Sequence, residues 1–311
     1  MRILFWGTPA FAVPSLRALG EEGHEIVGVV TQPDRPAGRG RELRASAVKE
    51  EALDQSFRIL EPESARSDGF VEEIAALGAD LSVVVAYGQI LSLEVLSVPP
   101  MGSVNLHASL LPELRGAAPI NWSIVGGDTV TGVTVMRMVE QMDAGPILFQ
   151  AEEPISPEET ASDLRIRLSE IGAEALVEAL MLLETGLIEE REQDESRATY
   201  APKVDRATAR IEWAHPSVVV ENFIRGMDAV PGAWSELEGQ PVKLFRPVAG
   251  PEVIPEGRPG TIVEADPDTG LLVATAEGAV RIREVQPQGK RRMDAGAWTL
   301  GRGATAGQRF E

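Results

Sequence analysis

The chain has 311 residues, 29 Lys and Arg against 48 Asp and Glu for a net charge of −19, 43% hydrophobic residues and no cysteine. That length predicts two domains, each large enough to bury a core, and the missing cysteines exclude disulfides, a thiolate zinc site and a cysteine nucleophile. The acidic excess argues against general affinity for nucleic acid, which is driven by Lys and Arg; with no apolar run of membrane-spanning length and no signal-peptide pattern, a cytoplasmic location without a membrane partner is expected.

In chain order, residues 2–6 read as a short apolar strand stopped at Gly7, and residues 11–19 as a helix, a βα start. Gly7-Thr8-Pro9 is not a G-x-G-x-x-G turn, and no acidic residue directly follows the second strand, 26–30, where a ribose would be held. A dinucleotide cofactor is therefore disfavoured. His24 and His215 sit beside turn or linker residues and read as solvent-side histidines. Residues 31–44 carry two prolines, two glycines and four arginines against two acids, which predicts an irregular basic loop. A solvated loop is its plain reading, but in an acidic domain Arg35, Arg39, Arg41 and Arg44 suggest a phosphate-rich partner.

Residues 47–55 and 69–77 have helical spacing around a short strand at 58–60, and residues 80–88 hold the β-branched run of a strand covered on both faces. In Ser103-Val104-Asn105-Leu106-His107 polar and apolar residues alternate, so Asn105 and His107 share one strand face. Ser109-Leu110-Leu111-Pro112 then leaves the strand, because Pro112 cannot donate to a ladder and pushes Leu111 to extended backbone. The turn at Tyr87, Gly88 and Ile90 should lie at the same sheet edge, where open α/β sheets bind ligands. Residues 131–138 form another strand candidate, and Asp143 stands two residues before Gly145-Pro146, where an Asp ordinarily bonds nearby backbone. Leu164, Leu168, Ile171, Ala175, Ala179 and Leu182 stripe a long helix over 163–184, with Gly186 placed to end it.

Residues 189–196 are a polar charge run read as a linker that continues to 205, and beyond it the texture changes. A helix over 217–227 precedes five short strand candidates at 233–237, 242–246, 260–264, 271–274 and 279–285, which suggest a small closed or nearly closed barrel. The domains are accordingly 1–188, a linker 189–207 and 208–311. Residues 1–207 carry net −17 and residues 208–311 net −2; Arg281, Arg283, Lys290, Arg291 and Arg292 meet only Glu284.

A carboxamide, an imidazole and a carboxylate brought to one strand end suit acyl transfer to an amine. The acid fixes the ring's tautomer and the amide donates to a developing oxyanion. On residues alone His107 could equally be a hydrogen-bonded core histidine, or partner of Ser109 in a hydrolase, although G-x-S-x-G is absent.

Asn105-Leu106-His107-Ala108-Ser109-Leu110-Leu111-Pro112 followed by Arg115-Gly116-Ala117-Ala118-Pro119-Ile120 resembles the signature of the folate-dependent formyltransferases. Residues 31–40, Val85-Ala86-Tyr87-Gly88 and Ala209-Arg210-Ile211-Glu212-Trp213 narrow the likeness to the branch that formylates methionine on the initiator tRNA; it extends over essentially the whole chain. The resemblance implies an α/β fold: a Rossmann-like formyltransferase domain with a carboxy-terminal OB-fold-like β-barrel that binds tRNA. It implies 10-formyltetrahydrofolate as formyl donor, initiator methionyl-tRNA as acceptor, direct amine attack with no covalent enzyme intermediate, no metal and no obligate protein partner. By motif position Asn105, His107 and Asp143 match the catalytic trio. Ser109, Leu110, Leu111 and Pro112 match a folate-binding segment, joined by Tyr87, Gly88 and Ile90, and Arg39 sits in the loop that meets the tRNA acceptor end. Arg35, Arg41 and Arg44 in that loop, with Lys290, Arg291 and Arg292, complete the expected tRNA contacts. Ala108 stands where a glycine is common in the family, and residues 301–311 are hard to align. A formyltransferase for a small amine would share the trio without needing the basic loop or the barrel, and an RNA-binding module would need only the barrel.

Overall fold

The structure, a computed structural model, describes residues 1–37, 42–67, 69–251 and 257–311. It divides into two compact units, one of Met1–Gly116, Val130–Pro154 and Arg165–Tyr200, the other of Ala117–Thr129, Ile155–Leu164 and Ala201–Glu311. The second unit thus takes two stretches from within the span 1–188 that the sequence assigns to one domain.

The first unit is built on a seven-stranded sheet in the order Ile147–Pro154, Val130–Arg137, Ser103–His107, Leu81–Val85, Arg2–Gly7, Glu25–Val30 and Ile59–Leu60. The last five strands named run parallel, and the first two join antiparallel. Leu81–Val85 is buried along its whole length, as a strand with helices on both faces must be. Chain order reverses beside Arg2–Gly7, which has the second strand on one side and the later Leu81–Val85 on the other. The residues following these two strands therefore flank the topological switch point, where such sheets bind ligands.

Three local features depart from the sequence reading. The basic loop contains a two-stranded antiparallel ribbon, Arg35–Ala37 with Glu42–Arg44. The edge strand Ile147–Pro154 was not expected, because its apolar residues run together at one end instead of alternating. His24 is not on the solvent side: its ring is 9% exposed and lies 3.7 Å from Glu184, and burial, then the nearby Met1 amine, lowers its pKa. His215, 53% exposed beside Glu212, matches its expectation.

The second unit holds an antiparallel sheet in the order Trp234–Leu237, Gln240–Ala249, Ala279–Pro287, Gly270–Ala274 and Ile262–Asp266, with Met293–Asp294 paired to Ala279–Pro287. Residues 307–311, which sequence reading left without a structural place, close it. Arg309 bridges Thr261 and Phe310 bridges Leu237, so the chain joins the two edge strands. Ile262 N–H donates to the Gln308 carbonyl at 2.8 Å and Glu311 N–H to the Glu236 carbonyl at 2.9 Å. Phe310, 1% exposed, stacks on Trp213 at 5.7 Å within a core that includes Val220 and Ile224 of the helix Ser217–Gly226. Together the two units are an α/β protein with a parallel-dominated central sheet and a carboxy-terminal antiparallel β domain, as the sequence predicts.

Candidate functional site

His107 ends the strand Ser103–His107, with Asn105 two residues earlier on the same face. The antiparallel neighbour fixes their level, pairing Asn105 with Met136 and His107 with Thr134. His107 is 6% exposed, while Asn105 is only half-buried. The ring Nε2 lies 3.0 Å from the Leu114 carbonyl oxygen. A carbonyl can only accept, so Nε2 carries the hydrogen, and in the neutral ring Nδ1 keeps its lone pair.

That open nitrogen faces Asp143, whose Oδ2 is 3.8 Å away and accepts the Gly116 N–H at 2.8 Å. At 3.8 Å the pair is within ion-pair reach yet too long for a hydrogen bond. Asp143 has φ +53°, a left-handed backbone uncommon for a residue with a side chain. The turn around it is tight: a Cβ on Gly145 would fall 1.9 Å from the Arg137 carbonyl oxygen, so glycine is required there.

The segment after His107 is braced from within. Ser109, 1% exposed, donates its hydroxyl to the Glu113 carbonyl at 2.6 Å. It is neither accessible nor bonded to a base, which removes the hydrolase alternative. Thr134 Oγ1 donates to the Ser109 carbonyl at 2.7 Å and receives the Leu111 N–H at 3.1 Å. Leu111 and Pro112 are buried, Leu111 packing with Met136 and Ile147, and Leu110 is half-buried. Of these four residues Leu110 alone offers appreciable side-chain surface.

At the switch point the turn after Leu81–Val85 points its residues both ways. Gly88 and Ile90 are exposed, Ile90 at 65%. Tyr87 turns inward at 2% exposure with its ring edge-on to Trp6 at 5.3 Å, and burial pushes its phenol up to about 12. Its contribution to any ligand is through the turn it anchors: its carbonyl accepts from Thr8 Oγ1 and Gln32 Nε2, both at 2.9 Å. Gly88 has φ +87°, and a Cβ there would lie 2.5 Å from Gln32 Nε2, so the exposed backbone of this turn stays bare.

The basic residues fare differently. Arg35 and Arg44 are exposed and directly opposite one another in the ribbon. Arg39 and Arg41 lie outside the described residues. Lys290 and Arg291 are exposed. Arg292 is turned back onto the barrel, bonded to Asp228 at 3.0 Å and to Glu284, with its guanidinium 4.0 Å over the Phe245 ring. Arg281 is likewise paired with Glu264 at 2.8 Å.

Sequence reading missed Gln193 and Glu195, which sit in the polar run taken for a linker. Gln193 Nε2 donates to the Asp143 carbonyl at 2.9 Å and the Gly145 carbonyl at 2.8 Å. Its Oε1 accepts from Arg115 Nε and Nη2, and Arg115, 1% exposed, also grips Glu195 with two bonds of 3.0 and 2.7 Å. The bonds to Glu195 raise the Arg115 pKa further. Among the described residues no group of three His, Asp or Glu side chains is placed to hold a metal ion. None of their helices is long and apolar enough to cross a membrane.

Comparison with known proteins agrees with this layout. A family model described as formyl transferase matches residues 1–180, and one described as formyl transferase, C-terminal domain, matches residues 203–303. The methionyl-tRNA formyltransferase of Symbiobacterium thermophilum is 46% identical over 310 residues, covering 100% of this chain and 95% of its own. That of Solibacter usitatus is 43% identical over 312 residues, covering 100% and 98%. Among solved structures, HypX from Aquifex aeolicus in complex with tetrahydrofolic acid is similar with a TM-score of 0.65 at 22% identity, over 97% of this chain and 47% of HypX, a likeness of fold. The chain therefore belongs to the formyl transferase family, and the relatives that it matches along its whole length are methionyl-tRNA formyltransferases.

Proposed function

We propose that this chain transfers the formyl group of 10-formyltetrahydrofolate to the α-amine of methionine on the initiator tRNA, supplying the formylated starter of protein synthesis. The observation that carries the reading is the orientation of His107, with Nε2 committed to the Leu114 carbonyl and Nδ1 turned to the Asp143 carboxylate across a 3.8 Å gap. The full-length likeness to methionyl-tRNA formyltransferases supports the choice of substrates.

The formyl donor supplies an activated one-carbon group, and the bare backbone of the turn at Gly88 with exposed Ile90 suits a flat ring system at the switch point. When the amine nitrogen attacks the formyl carbon, the carbonyl oxygen gains negative charge and the Asn105 amide donates to it. Nδ1 of His107 takes the amine proton, and the imidazolium so formed lies 3.8 Å from the Asp143 carboxylate. The proton then passes to the nitrogen that leaves the formyl carbon, so the enzyme ends as it began with no covalent bond to substrate.

Arg35 and Arg44, with Arg39 and Arg41 of the same loop, and Lys290 and Arg291 of the barrel meet the phosphates of the tRNA. Like charges set opposite each other in a ribbon repel, and an anion between them relieves that cost. The test is incubation with the formyl donor and charged initiator tRNA, followed by detection of formyl-methionine. Formylation by the wild type that is lost in His107→Ala is the expected result; full activity in that variant refutes the assigned chemistry.

A further inference from the structure

Asp143 is the member of the trio with the least reason to stay where it is. It lies outside the regular strands, in a left-handed conformation, and among the described residues its carboxylate has one short bond, to the Gly116 N–H. What holds its main chain comes from elsewhere in the sequence: the carboxamide of Gln193 spans the Asp143 and Gly145 carbonyls. The sense of that amide is fixed by its surroundings. Two carbonyls require the NH₂ group on one side, and the Arg115 guanidinium requires the oxygen on the other. Gln193 thus uses both ends at once. Arg115 is in turn anchored on Glu195, and the Gly116 N–H that meets Asp143 belongs to the residue next to Arg115.

We infer that Gln193 is a positioning residue for formyl transfer, holding the Asp143 carboxylate at its station beside His107 through the backbone of the 143–145 turn and locked there by Arg115 and Glu195. The inference rests on the reading of Asp143 given above. Its physical content is that the acid's placement is set by a half-buried hydrogen-bonded strut, so a shift of the turn would act on the chemical step.

The deciding variant is Gln193→Glu, which keeps the shape and the attraction to Arg115 but presents a carboxylate to two carbonyls that need donors. Steady-state kinetics would be measured with the formyl donor and charged initiator tRNA, and the folded fraction fixed by thermal melting. The expected result is a fall in kcat of roughly 10- to 100-fold, with KM for both substrates within about twofold of wild type. Gln193→Met, which has no donor and only a weakly accepting sulfur, carries the same readout where the Glu variant does not fold. A kcat within about twofold of wild type per folded molecule, or a change confined to KM, overturns the inference. Asp143→Asn separates the two ideas. If it is slow while Gln193→Glu runs at the wild-type rate, only the role of Gln193 fails; if Asp143→Asn is itself fully active, the reading of the trio fails first.

Discussion

Arg115 and Arg35 carry the same guanidinium to opposite ends of the energetic scale. Arg115 is 1% exposed, and its donors are taken by Gln193 and Glu195 inside the first unit. Arg35 stands in solvent across from Arg44, and among the described residues neither has an acidic partner. Arg292 lies between them, partly exposed but already balanced by Asp228 and Glu284. A net charge of −19 therefore says little about what a polyanion meets. What matters is which cations are left uncompensated, and local sequence does not reveal that.

The largest expected effect falls on the buried region. His107→Ala should lower formyl transfer on the order of 10³-fold or more while tRNA affinity stays within about twofold, checked by activity and by equilibrium binding. Parallel losses in both would break the separation of a buried chemical region from an exposed binding one. Arg115→Ala should next cost about 3 kcal/mol of stability in denaturant melts, because it empties a buried site and strands Gln193. The exposure of Glu195, 62%, keeps the figure below that for a fully buried ion pair. No change in the salt dependence of tRNA use should accompany it.

The double variant Arg35→Ala with Arg44→Ala is expected to do the reverse. KM for charged tRNA should rise about tenfold near 0.1 M salt, with a log–log salt slope shallower by about 1.5 and an unchanged melting temperature. A drop in stability instead would mean that these arginines are structural. The smallest effect separates neighbours: Arg292→Ala should cost about 1 kcal/mol of stability through its ion pairs and its stacking on Phe245, whereas Arg291→Ala should leave stability alone and weaken tRNA use.

Much of the frame was legible because it is local. The alternation that puts Asn105 and His107 on one face, the β-branched run ending at Val85, and the five closely spaced strands of the second unit are all periodicities within a few residues. The rest depends on partners far along the chain. Gln193 is one polar residue in a polar run, and only the carbonyls of Asp143 and Gly145, about fifty positions away, give it meaning. Tyr87 read as a contact at the ligand edge, yet its ring is packed on Trp6, because a turn can expose one residue and bury the next without altering the local pattern. His24 was misread for the same reason: Glu184, against which it lies, is 160 residues distant.

The bridges made by Arg309 and Phe310 bear on how the second unit is made as well as on how it stands. The margins of its sheet at Leu237 and at Thr261 stay open until residues 307–311 have emerged, so during synthesis the nascent unit presents unpaired backbone to its neighbours. Clipping those few residues from the finished protein would return it to that sticky state, and clumping of otherwise folded molecules would be its sign.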